Sequence, residues 1–165
     1  MKALFISYNG ALEPLMQSQG IPYLKGLSLR GIKIILLTFE KVKNKEKISE
    51  LKRELKDLNI EWHPFRYHKR PSLPATLFDI STGIAIGLFL VLTKNIDIVH
   101  GRATVPAAMA FLITKISRRK FIFDVRGFMA EEYAEGGIWK KGGLNYRLTL
   151  YCQKLFMKKA DALVV

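Results

Sequence analysis

Three short polar segments carry the side chains able to hold or transform a small molecule. The first runs from Tyr8 to Gly20 and sets a Gly10 turn ahead of Gln17, Ser18 and Gln19. Free backbone N–H groups at a helix start suit a phosphate or a sugar hydroxyl. The alternative is a connecting loop whose Gln and Ser side chains are solvated. The second segment is His100-Gly101-Arg102-Ala103-Thr104, followed by Pro106. Proline in a first turn marks a helix start, and Gly101 permits close backbone approach. Arg102 and Thr104 would then hold an anion at that helix N-terminus, while His100 reads as a strand-end histidine satisfied by a backbone partner. In the third segment, Asp124-Val125-Arg126-Gly127, the period of two puts a carboxylate and a guanidinium on one strand face. The pair either orients a hydroxyl and a phosphate or closes the sheet end as a structural ion pair. Glu131, Glu132 and Glu135 follow on a short helix as capping and solvated charge.

What is missing narrows the chemistry. No G-x-G-x-x-G run follows the first strand and no Walker A pattern occurs, so neither phosphate-binding fingerprint is present. Cys152 stands alone, which excludes a disulfide framework and a Cys-based metal site and fits a reducing compartment. No metal and no cofactor is expected.

Lys and Arg number 27 against 14 Asp and Glu, a formal charge of +13 that asks for an anionic partner. The cations are dispersed: Lys43, then Lys45, Lys47, Lys52, Arg53 and Lys56 on one helix, His68-Lys69-Arg70, Arg118-Arg119-Lys120, Lys140-Lys141 and Lys158-Lys159. Nucleic-acid readers pair a basic stripe with a reading motif. No zinc knuckle, aromatic RNP strand or helix-turn-helix is visible, so no nucleic-acid partner is expected. A basic amphipathic helix carrying Lys45, Lys47, Lys52 and Arg53 fits an anionic membrane surface; a solvated lysine-rich surface is the alternative.

The elements that must position these groups alternate between strand and helix. Apolar runs predict strands at Ala3–Tyr8, Lys33–Phe39, Ile60–Tyr67, Asp97–His100 and Lys120–Val125, with a sixth beginning at Ala162. Pro64 places the third at a sheet edge. Helices are predicted over Leu15–Leu29, Asn44–Leu58 (Ile48, Leu51, Leu55 and Leu58 on one face), Ala75–Thr93, Val105–Ile116, Phe128–Glu135 and Leu144–Lys159. Continuously apolar strands alternating with helices predict a doubly wound α/β domain, a parallel sheet covered on both faces. The polar segments fall at the C-terminal ends of strands one, four and five, where such sheets bind ligands.

With 165 residues and 49% hydrophobic content the chain can bury the core of one domain. The apolar start, Ala3-Leu4-Phe5-Ile6, is too short for a signal peptide. Ile80–Thr93 is an unbroken 14-residue apolar stretch, short of the roughly 20 residues that span a bilayer. It is expected to be a buried helix in a soluble chain. The sequence stops inside its sixth strand, so it is expected to be part of something longer.

Taken together the segments resemble the N-terminal half of a glycosyltransferase of family 4, the group 1 transferases built from two facing Rossmann-like domains (the GT-B fold). The carriers are Ser7-Tyr8-Asn9-Gly10 with Glu13-Pro14-Leu15-Met16-Gln17-Ser18-Gln19, Pro22-Tyr23-Leu24, Leu27-Ser28-Leu29-Arg30-Gly31, Asp97-Ile98-Val99-His100-Gly101-Arg102, Phe123-Asp124-Val125-Arg126-Gly127-Phe128, Glu135-Gly136-Gly137-Ile138-Trp139 and Lys159-Ala160-Asp161-Ala162-Leu163-Val164-Val165. The resemblance covers nearly all of this chain and about half of a family member. Many relatives place a histidine after the fifth strand, where this chain has Asp124-Val125-Arg126-Gly127. That form is similar to a subgroup acting in cell-surface polysaccharide synthesis.

The resemblance implies residues 1–165 as the acceptor-side domain of an enzyme moving a sugar, with retention, from a nucleotide sugar to a lipid- or polymer-linked saccharide. Such enzymes work in the cytoplasm, at the inner face of the cell membrane. Gly10 would admit the donor phosphates, Gln17, Ser18 and Gln19 would line the cleft, and Arg102, Thr104, Asp124, Arg126 and Gly127 would meet the acceptor. The nucleotide site and a pair of catalytic glutamates are expected in a C-terminal domain absent from this chain, so the 165 residues alone are expected to be inactive. A nucleotide-sugar epimerase sharing the fold and a standalone membrane-docking module are the rival expectations.

Overall fold

A computed structural model of the chain describes residues 1–41, 44–68 and 72–165; Lys43 and the basic turn Lys69-Arg70-Pro71 lie outside the described residues. Six parallel strands form one sheet: β1 Lys2–Ser7, β2 Lys33–Glu40, β3 Ile60–Arg66, β4 Ile98–Arg102, β5 Lys120–Asp124 and β6 Ala162–Val164, in the order β3-β2-β1-β4-β5-β6. The chain reverses direction across the sheet between β1 and β4, the crevice where doubly wound sheets hold ligands. β3 is an edge strand, as Pro64 requires.

Six helices cover the two faces: α1 Ile21–Leu29, α2 Lys45–Asp57, α3 Ser72–Lys94, α4 Thr104–Ser117, α5 Met129–Glu135 and α6 Leu144–Lys159. Phe5, Ile34, Leu36 and Trp62 pack one sheet face against Leu24 of α1 and Leu51 and Leu55 of α2. Leu4, Ile6, Leu37 and Val99 pack the other against α3, α4 and Phe156 of α6. Both faces of β2 are therefore buried, which is why its sequence is apolar without alternation. Asn44 caps α2, its side chain accepting from the backbone N–H groups of Glu46 and Lys47.

Four expectations shift. The helix expected from Leu15 begins as a π turn over Met16–Gly20 that runs into α1. β4 extends through Gly101 to Arg102, and β5 stops at Asp124. The apolar segment belongs to a 23-residue helix, α3, and Pro74–Lys94 is long and apolar enough by length and composition to cross a membrane. Only 33% of its most apolar window is buried, so the expectation of a buried helix fails for its outer side. Asp79, inside α3 as the predicted helix has it, is 1% exposed, its carboxylate accepting from the Tyr8 hydroxyl and the His68 N–H.

Candidate active site

Strand register builds the floor of the site. Ser7 of β1 pairs with Arg102 of β4, and Arg102 pairs with Asp124 of β5, so three polar side chains form a row at the C-terminal edge. Arg102 Nη1 donates to Asp124 Oδ2 at 2.8 Å and Nη2 donates to Gln19 Oε1 at 2.8 Å. The guanidinium thus ties two strands to the π turn. A π turn adds a residue to a helical turn and re-aims its side chains, here Gln19 toward the sheet.

One residue pair below, His100 lies against the rings of Phe5 (4.6 Å between centroids) and Tyr23 (5.9 Å). Its Nε2 stands 3.7 Å from Asp124 Oδ2, an ion-pair distance but too long for a hydrogen bond, and is buried without a hydrogen-bond partner. The expected backbone partner for this histidine is therefore replaced by aromatic packing and a carboxylate. Burial works to raise the Asp124 pKa, but His100 and Arg102 outweigh it and hold the carboxyl below its ordinary value. Burial, with the Asp124 charge added, raises the Tyr23 phenol.

Above this floor opens a cleft of about 150 Å³ lined by Tyr8, Asn9, Thr104, Arg126, Met129 and Tyr133. Ala103 makes the turn into it. Its φ of +70° is one an L-residue adopts only under strain, at a cost of about 1–3 kcal/mol. That turn sets the start of α4, Thr104 and Val105 with their backbone N–H groups and then Pro106, along the cleft, and Ala103 N–H is anchored on Asp124 O at 2.9 Å. Gly101 makes the close packing of β4 on α4 possible: a Cβ there would lie 2.7 Å from Ala107 Cα. Arg126 is exposed at the rim, and no ion pair of the described residues occupies it.

The residues singled out by sequence separate into two groups. Arg102, Asp124 and Gln19 form the floor network; Thr104, Arg126 and Gly127 line the cleft. Asp124 and Arg126 do not share a strand face, because β5 ends at Asp124, and the carboxylate holds Arg102 in place of Arg126. Gln17 and Ser18 are engaged locally, donating to Ala11 O at 2.6 Å and Leu15 O at 3.3 Å. The Gly10 N–H donates to Glu13 Oε1 at 2.9 Å, the Ala11 N–H to Glu40 Oε1 at 2.6 Å, and a Cβ on Gly10 would fall 2.5 Å from Glu40 Oε2. Gly10 thus packs closely on the buried Glu40 carboxylate. Lys45, Lys47, Lys52 and Arg53 lie exposed on α2, away from the cleft.

A cluster that sequence reasoning missed braces the cleft from the α3 side. Asp79 accepts from Tyr8 Oη (3.1 Å) and His68 N–H (3.0 Å), and its Oδ1 lies 2.6 Å from His68 Nδ1. Burial raises the Tyr8 phenol far above its ordinary pKa, with the Asp79 charge adding to it, so Tyr8 remains a hydrogen-bond donor at the cleft wall. The signal was a lone carboxylate in an otherwise apolar run. A larger cavity, about 490 Å³, is lined by Lys33, Lys52, Lys56 and Trp62 at the N-terminal edge of the strands. Asn59, at a φ of +56°, and Glu61 also line it, and Glu61 is already held by Lys94; the cavity is at the edge opposite the β1/β4 crevice. Among the described residues no three His, Cys, Asp or Glu side chains converge on a metal position.

Solved structures share this architecture. Sucrose-phosphate synthase from Thermosynechococcus elongatus aligns with a TM-score of 0.67 at 9% identity, over 100% of this chain and 42% of that one. Anabaena Alr3699/HepE, solved with UDP and glucose, aligns at 0.55 and 15% identity over 99% of this chain and 37% of that one. A Listeria monocytogenes protein described as a UDP-N-acetylglucosamine 2-epimerase aligns at 0.60 and 12% identity, over 98% and 38%. No protein-family model matches the sequence, and no curated protein does.

Proposed function

We propose that this chain, which has the Rossmann-like fold of one half of a GT-B protein and spans less than half the length of each of these solved structures, is the acceptor-side half of a retaining glycosyltransferase, of the family 4 type used in polysaccharide synthesis. It transfers a sugar from a nucleotide-sugar donor to a lipid- or polymer-linked saccharide at the cytoplasmic face of the membrane. One observation carries the reading. The strained α4 N-terminus and the unpaired Arg126 face a single cleft at the β1/β4 crevice, over a floor already neutralised by Arg102 and Asp124.

The chemistry follows from where charge is spent. Arg102 is consumed internally, so its role is to fix the floor and the π turn. Arg126 and the α4 N–H groups are the free positive features, and they suit a phosphate or acidic sugar. Tyr133 offers a ring face and a hydroxyl group to a saccharide, and Tyr8, whose hydroxyl is held by Asp79, offers ring surface. In this reading the nucleotide, the catalytic carboxylates and any remaining activating group come from a second domain, and this half contributes no cofactor.

The test is turnover by the 165-residue chain with common nucleotide sugars. No transfer is expected from it alone, and clear sugar transfer would overturn the division of labour. An epimerase half is the second reading, favoured by the Listeria likeness and by the buried His100–Asp124 pair. Joined to a donor-binding half, an epimerase would invert free nucleotide sugar with no acceptor present, whereas a transferase requires the acceptor.

A further inference from the structure

From Gly83 to Leu92 α3 is apolar on every side, yet the fold covers only one. Gly83 and Gly87, one turn apart, face α4 so closely that Cβ atoms there would collide with Met109 and Ile113. The opposite stripe, Phe78, Ala85, Phe89 and Leu92, recurs at helical spacing and is open; Phe89 is 64% and Leu92 67% exposed. Beside it Leu112 and Ile116 extend the apolar surface across α4. A helix hydrophobic all round belongs in an apolar medium on all sides, and a continuous exposed patch of this kind marks an interaction surface.

Charge and hydrogen bonding say what covers it. Within α3 and α4 the acidic side chain is Asp79, which is turned inward onto His68 and Tyr8. At the end where both helices finish, Lys115, Arg118 and Arg119 follow the stripe and take part in no ion pair of the described residues. Three carboxylates at that edge of the sheet are already engaged, Asp97 by the Lys2 N–H, Glu61 by Lys94 and Asp161 by Lys120. Three of the hydroxyls on these helices satisfy themselves: Thr93 donates to Phe89 O (2.7 Å), Thr114 to Ala110 O (2.9 Å) and Ser117 to Ile113 O (2.8 Å). Back-bonding to the preceding turn leaves those three with no need of water, and Ser81 is the exposed hydroxyl between Phe78 and Ala85.

We propose that the α3–α4 face is a docking surface for an anionic lipid bilayer. The stripe inserts among the acyl chains near the headgroups, and Lys115, Arg118 and Arg119 meet lipid phosphates. The proposal deepens the reading above and rests on it for one point, the presentation of the cleft to a lipid-linked acceptor. Phe78 stacks edge-on against His68 at 5.3 Å, His68 and Tyr8 share Asp79, and Tyr8 lines the cleft, so the docking face and the cleft meet at the start of α3. The expected membrane contact through Lys45, Lys47, Lys52 and Arg53 is on the opposite face of the sheet, and one flat bilayer cannot touch both. α2 is also nearly neutral, with five cations (Lys45, Lys47, Lys52, Arg53, Lys56) against four carboxylates (Glu46, Glu50, Glu54, Asp57).

The experiment is flotation of the 165-residue chain with vesicles of phosphatidylglycerol and phosphatidylcholine, and of phosphatidylcholine alone, with no sugar nucleotide present. Binding is expected on the anionic vesicles. Phe89→Ser with Leu92→Ser and Ile116→Ser should weaken it at least tenfold. Arg118→Glu with Arg119→Glu should cost about fivefold per residue removed, and Lys45→Glu with Lys47→Glu and Lys52→Glu should change it less than twofold. In an otherwise wild-type chain, Phe89→Trp should be quenched by brominated acyl chains, and Lys52→Trp should not. Loss of binding with the α2 variant, equal binding by the stripe variant, no vesicle binding at all, or self-association that the stripe variant abolishes would each overturn the proposal. Because no donor or acceptor is present, vesicle binding stands or falls separately from the transferase reading.

Discussion

Removing the Arg102 guanidinium without shortening the side chain much, as Arg102→Met, isolates the claim that this residue builds the site floor. The wild-type pair is 2.8 Å long, with side chains 12% and 7% exposed, so the variant leaves the Asp124 carboxylate buried beside His100 at 3.7 Å. Breaking a buried pair costs about 3–5 kcal/mol. Because Arg102 also reaches an exposed Gln19, the lower end, about 3 kcal/mol, is expected. For a chain of this size that is a fall in Tm of about 6–12 °C. Urea unfolding of the wild type, Arg102→Met, Asp124→Asn and the double variant completes a cycle whose expected coupling is about 2 kcal/mol. pH supplies a second reading. Folded Asp124 titrates below its ordinary value, so the unfolded chain takes up this proton first as the solution is acidified. Its contribution is therefore full above about pH 4 and disappears as pH falls through the lowered folded value. In Arg102→Met the folded value rises, since burial still pushes it up and one of its two opposing charges is gone, so the acid-dependent loss should shrink or reverse. Stability of Arg102→Met within about 0.5 kcal/mol of wild type, or coupling below that figure, would refute the reasoning.

Other substitutions test the backbone around the site. Ala103→Gly should raise stability by about 1 kcal/mol in the same urea assay, because it relieves the positive φ at the cleft turn. Gly101→Ala should lower it by about 2–3 kcal/mol, since the new Cβ meets the backbone of Ala107 at 2.7 Å, whereas Gly26→Ala has open space around it in α1 and should gain up to about 1 kcal/mol. Thr38→Val removes a hydroxyl that accepts from Trp62 Nε1 at 2.7 Å and donates to Glu40 Oε1 at 2.6 Å. Its expected cost is about 2–3 kcal/mol, read by unfolding followed at Trp62.

The fold was legible because its signal is period and order. Apolar strands without alternation, helices between them and Pro64 at one strand sufficed for a parallel sheet with β3 at its edge. The site was legible only as an address. Polar residues at the ends of strands one, four and five do meet, but which of them pair is decided by strand register and by where a strand stops. Moving the end of β5 from Val125 to Asp124 detaches Arg126 from Asp124 and gives the carboxylate to Arg102. The π turn that brings in Gln19 leaves no mark in hydrophobic spacing, and neither does the strain at Ala103. The role of Asp79 was hidden because its partners, Tyr8 and His68, lie 71 and 11 residues away. α3 misled for a related reason. Its composition says that it is apolar all round, but not that the sheet covers one side.

The central claim, that the β1/β4 crevice holds a sugar-phosphate ligand, is tested most directly by amide chemical-shift mapping of the 165-residue chain titrated with UDP-glucose. Weak binding is expected, since the proposed function assigns most donor contacts to a second domain. The shifts should cluster at Asn9, Thr104, Val105, Arg126 and Tyr133, and Arg126→Ala should abolish them while leaving the urea midpoint unchanged. Shifts centred on Lys33, Lys52 and Lys56 at the opposite edge of the sheet, or shifts at the cleft that survive Arg126→Ala, would contradict it.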